Sequence, residues 1–308
     1  MTTAKADQPE NEDYKIIPES YPTSFTVTDR ILQFIAVNLW LFSLFFIMIG
    51  APVLVLVLFY YSSWSRFPIL VYFGYIFLDT KTPIVGMKRN WFRSFIRHAK
   101  IWDYFRAYFP AQIIRTKKLD PSKKYIIGVH PHGVYAIAPF CNIIFNRHVE
   151  EDLFPGIHII MSTLPANFSV PIWRDYALAL GSGSCERKSI KQRLLYGKPG
   201  TSMMIAIGGA EEFKYMTEGT LDLVLLKRKG FAKIALMTGA SPVPVIGFGE
   251  NELYHRVTHS FFQPLHGVFQ TLFKAAAPLF YGQFGTLFPK QHPLVTVGNL
   301  DSLTYNSG

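Results

Sequence analysis

Two histidines separated by a proline, His130-Pro131-His132, and followed by Gly133, are the residues of this chain best suited to proton chemistry. A neutral imidazole takes a proton from a hydroxyl near neutral pH, so either ring is a candidate general base for activating an alcohol. Proline fixes the backbone between the rings, and glycine lets the chain turn sharply after them. A strand that continued through both histidines would put the two rings on one face. The plainer readings are a pair of turn histidines or two ligands of a metal. The pair lacks the zinc-protease spacing, and no metal is expected.

A carboxylate stands at Gly208-Gly209-Ala210-Glu211-Glu212, directly after the apolar run Met203–Ile207. Two glycines at a strand end let backbone approach a ligand closely. A glutamate there is placed to orient an imidazole, as the third member of a triad does. Solvated loop glutamates are the alternative. A third group, Lys227-Arg228-Lys229-Gly230, opens a helical stretch and joins cations to free amides, which suits the phosphates of a cofactor or co-substrate. An ordinary solvated helix start is the alternative there. The chain has no Gly-x-Ser-x-Gly elbow, which disfavours a serine hydrolase. It has no phosphate loop, and Gly181-Ser182-Gly183 lacks the third glycine of a dinucleotide fingerprint.

The elements that must position these groups show in the periodicity. Tyr125–Val129, Ile157–Ser162, Ser202–Ile207, Val243–Gly247 and Leu294–Val297 are short apolar runs expected to be strands. Pro171–Leu180, Ser184–Leu195 and Gly230–Thr238 are expected to be helices, with Ser184 as one cap and Gly239 as one stop. Val134 to Phe145 is expected to be a buried helix whose N-terminus faces the imidazoles and favours their neutral form. This alternation predicts an α/β domain over residues 120–308, with a largely parallel sheet flanked by helices. Phe261 to Phe280 reads as one more aromatic helical stretch, lining a lipid entrance or the core.

Composition separates the rest of the chain into regions. Residues 1–30 carry three Lys/Arg and six Asp/Glu, and residues 1–28 are expected to be a disordered polar tail. From Ile31 to Ser65 there is no charge, a run longer than the roughly 20 residues that span a bilayer. Gly50-Ala51-Pro52 interrupts it. Residues 29–80 are therefore expected to form a membrane-embedded helical hairpin, with Ile31–Ile49 as one arm and Val53–Leu78 as the other. A buried helix pair in a soluble core is the alternative.

Residues 81–124 hold twelve Lys/Arg and two Asp, which matches the whole formal excess of +10. A basic segment beside a membrane stays cytosolic and attracts anionic headgroups. No nucleic-acid motif accompanies it, so no nucleic-acid partner is expected. Within residues 81–119, Asn90 to Phe109 reads as one amphipathic helix lying in the membrane interface. The two cysteines, Cys141 and Cys185, are too few for a disulfide framework and fit a reducing compartment.

In order and combination these segments resemble the type 2 diacylglycerol acyltransferase family, with its monoacylglycerol and wax-alcohol members. The resemblance rests on Tyr125–Gly133, Phe154-Pro155-Gly156-Ile157, Pro171 with Arg174-Asp175-Tyr176, and Gly181 through Ser189. It continues through Gly208–Glu212 and from Arg228 to Phe248-Gly249-Glu250, and covers roughly residues 30–300. It implies an endoplasmic-reticulum membrane enzyme with its catalytic domain facing the cytosol, and lipid droplets as a second location. The enzyme would move a fatty acyl group from acyl-CoA to a diacylglycerol, a monoacylglycerol or a long-chain alcohol. Acyl-CoA would be a co-substrate, with no tightly bound cofactor; the bilayer is a further partner, and a homo-oligomer is compatible. The family's His-Pro-His-Gly segment maps onto His130 to Gly133, and the glutamate of its Gly-Gly-x-x-Glu pattern onto Glu212. The family usually continues with a further C-terminal helical stretch, whereas this chain stops at Gly308, a difference expected to bear on activity more than on fold.

The expected mechanism is direct transfer without an acyl-enzyme. His132, or else His130, removes the acceptor proton, and Glu212 holds the base in its useful tautomer. Amides at the Gly133 turn or at Gly208-Gly209 stabilise the oxyanion. Lys227, Arg228, Lys229 and Gly230 receive the CoA phosphates. Two readings from other classes remain: a non-catalytic lipid-binding hairpin protein, and a metal-dependent lipid hydrolase using both histidines.

Overall fold

The computed structural model describes residues 13–18, 20–86, 90–257 and 279–298. Helix α1 (Val27–Phe42) starts at a reciprocal cap. The Asp29 amide donates to Thr26 Oγ1 at 3.2 Å, and the Thr26 amide donates to Asp29 Oδ2 at 2.9 Å. Gly50-Ala51-Pro52 does not break this helix as expected. The chain passes through a wider π-helical segment, Ser43–Gly50, into α2 (Ala51–Tyr61), giving one apolar helix of 35 residues from Val27 to Tyr61. Pro52 lies in the first turn of α2, where its missing N–H is tolerated.

The break falls instead at Ser62, in extended conformation, after which α3 (Ser63–Leu78) begins. Arg66 donates to the carbonyls of Phe59 at 3.0 Å and Tyr60 at 3.1 Å, closing the end of α2. Two helices therefore replace the expected arms, divided twelve residues later than Gly50. A short helix, α4 (Thr82–Val85), follows.

Asn90 to Phe109 is likewise two helices, not one: α5 (Asn90–Arg97) and α6 (Ile101–Tyr108). Trp91 and Phe95 are exposed, but Trp102, Phe105 and Phe109 are buried in the main core. Trp102 stacks on Phe145 with ring centroids 4.0 Å apart. The aromatic residues of α6 therefore belong to the core, where this helix packs against α1.

The core of the fold is a sheet of eight strands in the order β1-β2-β10-β7-β3-β6-β4-β5. These are β1 (Lys15–Ile17), β2 (Gln112–Arg115), β3 (Tyr125–His130), β4 (His158–Thr163), β5 (Gly183–Ser184), β6 (Thr201–Ala206), β7 (Ser241–Phe248) and β10 (Val295–Gly298). A separate ribbon pairs β8 (His255–Arg256) with β9 (Phe280–Tyr281). From β7 through β3, β6 and β4 to β5 the strands run parallel. β10 is antiparallel to β7 and parallel to β2, and β1 is antiparallel to β2. The sheet is therefore mixed, with its parallel half around β3.

β1 belongs to the segment expected to be disordered; residues before 13 lie outside the described set. The aromatic stretch Phe261–Phe280 lies outside it as far as residue 278, and Phe280 belongs to β9.

The helices after β4 hold the apolar helices to this sheet. In α8 (Trp173–Ala179), buried Arg174 donates to the Ile76 carbonyl at 3.1 Å and pairs with Asp79 at the end of α3. Tyr72 of α3 donates to Asp175 and accepts from the Ile172 amide. α9 (Arg187–Tyr196) starts three residues after Ser184, which lies in β5 and does not cap the helix. α10 (Gly230–Thr238) coincides with the expected helix and ends at Gly239 in left-handed conformation.

Candidate active site

Every residue of β3 is buried, as a strand covered on both faces requires. The strand ends at His130. Pro131 then takes the chain out of the sheet, so strand alternation no longer governs His132, and the two rings do not share a surroundings. His130 is 5% exposed, with Nδ1 2.6 Å from Glu212 Oε1. Its Nε2 is buried and has no hydrogen-bond partner among the described residues. His132 is half-buried and lines a cavity. Its Nδ1 lies 3.0 Å from the Gly133 carbonyl. A carbonyl only accepts, so this contact puts the proton on Nδ1 and leaves Nε2 as the basic atom.

Glu212 was expected to orient the base, His132 or else His130, and the ring it meets is that of His130. Oε1 accepts from His130 and from the Val224 amide at 3.2 Å, while Oε2 accepts from the backbone N–H of His132 at 2.8 Å. The carboxylate grips the His130 ring and the backbone of His132, not the His132 ring. Gly208 fits closely over it, since a Cβ there would meet the Glu212 carboxyl carbon at 2.1 Å.

The helix after the motif starts later than expected. Ala136 is left-handed, and the helix runs from Ile137 (α7, Ile137–Pro139) through a π-helical Phe140–Ile144. Its N-terminus faces a carboxylate, not the imidazoles. The Ile137 amide donates to Glu250 Oε1 at 3.0 Å, and the Ala138 amide to Glu250 Oε2 at 2.6 Å. Burial pushes the Glu250 carboxyl up to about 7, against the pull of these two amides. Gly133 has φ +58°, and a Cβ on it would lie 2.1 Å from Glu250 Oε1. Glu250 therefore supports the motif turn from below. It was noticed in the sequence only as part of Phe248-Gly249-Glu250, an acid following a strand end, and was given no role.

β6 divides two clefts. Met204 and Ala206 line one, and Ile205 and Ile207 line the other, as alternation along a strand dictates. The first is an apolar cavity of about 500 Å³ between the sheet and the long helix, which contributes Trp40, Leu44, Phe45 and Met48. His132, Tyr135, Ala210 and Phe213 close its motif end. The second, of about 400 Å³, is basic: Lys227, Arg228, Lys229 and Gly230 line it with Arg187 and Lys233. Arg228 is engaged by Glu211 Oε2 at 2.8 Å and by the Gly208 carbonyl at 3.2 Å. Arg187 and Lys233 were not singled out in the sequence, where they are distant from the Lys-Arg-Lys run. Among the described residues no group of three His, Cys, Asp or Glu side chains is arranged to hold a metal.

Residues 56–299 match the family model described as diacylglycerol acyltransferase. The chain belongs to the diacylglycerol acyltransferase family. The diacylglycerol O-acyltransferase 2A of Umbelopsis ramanniana is 40% identical over 87% of this chain and 76% of its own length. The 2-acylglycerol O-acyltransferase 1 of Bos taurus is 37% identical over 87% of this chain and 81% of its own. The acyl-CoA wax alcohol acyltransferase 1 of Mus musculus is 38% identical, covering 74% and 70%. No solved structure matches. This diacylglycerol acyltransferase family member is thus an acyltransferase, and the motif, Glu212 and Glu250 form one connected cluster beneath its apolar cavity.

Proposed function

We propose that this chain transfers a fatty acyl group from acyl-CoA to the free hydroxyl of a diacylglycerol, releasing triacylglycerol and CoA. The observation that carries this reading is His132 at the wall of an apolar cavity, with its Nδ1 proton committed to the Gly133 carbonyl. Nε2 of His132 takes the proton of the acceptor hydroxyl as the oxygen attacks the thioester carbonyl. The tetrahedral intermediate collapses with departure of the CoA thiolate, and the imidazolium returns its proton to the thiolate or to water. Amides at the Gly133 turn or at Gly208-Gly209 stabilise the oxyanion. Glu212 and His130 hold the motif backbone in place.

The nucleotide end of acyl-CoA occupies the basic cleft, where Lys227, Lys229, Arg187 and Lys233 meet its phosphates. The thioester then reaches His132 past the C-terminal end of β6, at Gly208-Gly209. The acyl chain and the acceptor share the apolar cavity, whose volume falls within the usual range of about 300–1,000 Å³ for small-molecule pockets.

The long helix and α3 lie in the endoplasmic-reticulum membrane, with the sheet on the cytosolic side. Tyr61, Trp64, Phe67 and Phe77 are each more than 70% exposed, apolar surface that water does not favour. The cavity wall from Trp40 to Met48 gives an apolar acceptor a route from the bilayer.

A second reading makes His130 the base, favoured by its unpartnered Nε2 and its bond to Glu212. Microsomes from a host lacking storage-lipid synthesis, given labelled oleoyl-CoA with diacylglycerol, monoacylglycerol or a fatty alcohol, test the function. Triacylglycerol as the main product supports it, and the absence of product with every acceptor defeats it.

A further inference from the structure

A further cavity lies away from the motif, beside the start of the long helix. It measures about 470 Å³ and is bounded by α1 on one side and by Tyr108 and the segment 283–291 on the other. No step of the acyl transfer uses it.

Aromatic rings join its walls. Phe34 of α1 stacks on Phe288 with ring centroids 5.3 Å apart, and Tyr108 meets Phe288 edge-on at 5.6 Å. The Tyr108 hydroxyl donates to the Pro289 carbonyl at 2.9 Å and lies 3.1 Å from Gln283 Oε1. Among the described residues that line the cavity, Arg30 is the one that carries a charge. Its guanidinium lies 4.8 Å from the centroid of the Phe25 ring and donates to Gln33 Oε1 at 3.2 Å, and it has no carboxylate partner among the described residues. Burial pushes the Tyr108 phenol up to about 12, and the Arg30 cation opposes that rise, so its charge acts across the cavity. The cavity is therefore positive and suits an anion.

Depth narrows the choice of anion. α1 turns Val37, Trp40 and Leu41 into the core and leaves Ile31, Ile35 and Phe42 exposed, so its outer face belongs in lipid. Arg30 is the fourth residue of this helix, at the level where a spanning helix leaves the hydrocarbon and a cation reaches the headgroups. Phe34 is one turn further along, about 6 Å deeper at 1.5 Å per residue. It is 58% exposed, and Phe284 on the facing wall is 91% exposed. Phe284 also has φ +56°, a left-handed backbone that is costly for a bulky side chain. An occupant thus meets a cation at headgroup depth and two open aromatic rings on its hydrocarbon side.

We propose that this cavity binds a glycerophospholipid of the surrounding membrane, with its phosphodiester at Arg30 and one acyl chain along Phe34 and Phe284. The lipid is held and not acylated. This rests on the membrane placement of the long helix given above.

Microsomes holding the full chain are washed with alkaline carbonate, and the chain is then purified in detergent. Its melting temperature is measured with dioleoylphosphatidylglycerol, with dioleoylglycerol (the same chains without phosphate) and with sodium phosphate. Wild type is compared with Arg30→Gln and Phe284→Gly. The expected result is that the chain stays with the membrane, and that saturating phosphatidylglycerol raises the wild-type melting temperature by roughly 3–6 °C. At least half of that shift should be lost in each variant, while dioleoylglycerol and sodium phosphate affect all three proteins alike. Phe284→Gly separates binding from folding: glycine accepts the left-handed backbone, so its lipid-free melting temperature should not fall below wild type. A phosphatidylglycerol shift as large in either variant as in wild type, or none in wild type, would overturn the proposal and leave the membrane placement intact. An Arg30-dependent shift with sodium phosphate would make this a free-phosphate site and overturn the lipid. Release of the chain by carbonate would overturn the membrane placement, and this proposal with it.

Discussion

Glu212 holds His130 and His132 by different atoms: one carboxylate oxygen meets the His130 ring at 2.6 Å, and the other takes the backbone N–H of His132 at 2.8 Å. One buried side chain thus ties the end of β3 to the loop after β6. Removing the carboxylate leaves a buried ring nitrogen and two amides without their partner, which should cost about 3–5 kcal/mol. Glu212→Ala is expected to lower the melting temperature in detergent and abolish activity. Glu212→Gln restores one acceptor and should recover part of the stability. A melting temperature unchanged in Glu212→Ala would show that the carboxylate does not organise the motif.

Glu250 supports the same turn and gives it a pH dependence. Its carboxyl is raised from 4.5 to about 7, so between those values the folded protein keeps a proton that the unfolded chain has released. The associated stability is fully present below about 4.5 and is lost as pH rises through 7. At most it amounts to on the order of 3 kcal/mol. Glu250→Gln does not titrate, so the wild-type melting temperature should fall relative to that variant from about pH 5 to about pH 8. A constant difference across that range would mean that Glu250 titrates normally.

Much of this arrangement was legible beforehand, and the misses have physical causes. β3, β4, β6, β7 and β10 declare themselves because each is an apolar run of strand length between turn residues, and β3 is buried along its whole length. β1, β2 and β5 are short and lie at or near the sheet edges, where pairing rather than composition defines a strand. Gly50-Ala51-Pro52 looked like a break, but the proline falls in a first helical turn after a widened segment. Asn90–Phe109 kept one aromatic period across a helix break, which periodicity alone does not register. His130, His132 and Glu212 were all named from the sequence. Which ring the carboxylate touches was not, because that depends on the chain leaving the sheet at Pro131. Glu250 stood in the sequence without a site role, because its significance lies in the Ile137 and Ala138 amides that it touches across the fold.

The basic cleft should act on donor binding and not on chemistry. Lys227→Glu with Lys229→Glu is expected to raise the acyl-CoA KM with little change in kcat, and added salt should narrow the gap between variant and wild type. Arg228 is a poorer probe because its reversal would also set like charges against Glu211. An acyl-CoA KM equal to wild type would remove this cleft from the donor site.

Acyl transfer at this site turns on His132 as the base. The decisive measurement is the rate of triacylglycerol formation from labelled oleoyl-CoA and diacylglycerol by His132→Ala, in protein whose melting temperature matches wild type. The prediction is a fall of about 10²–10⁴-fold in kcat with acyl-CoA KM preserved. Full activity in that variant would contradict the assignment and turn attention to His130 and its bond with Glu212.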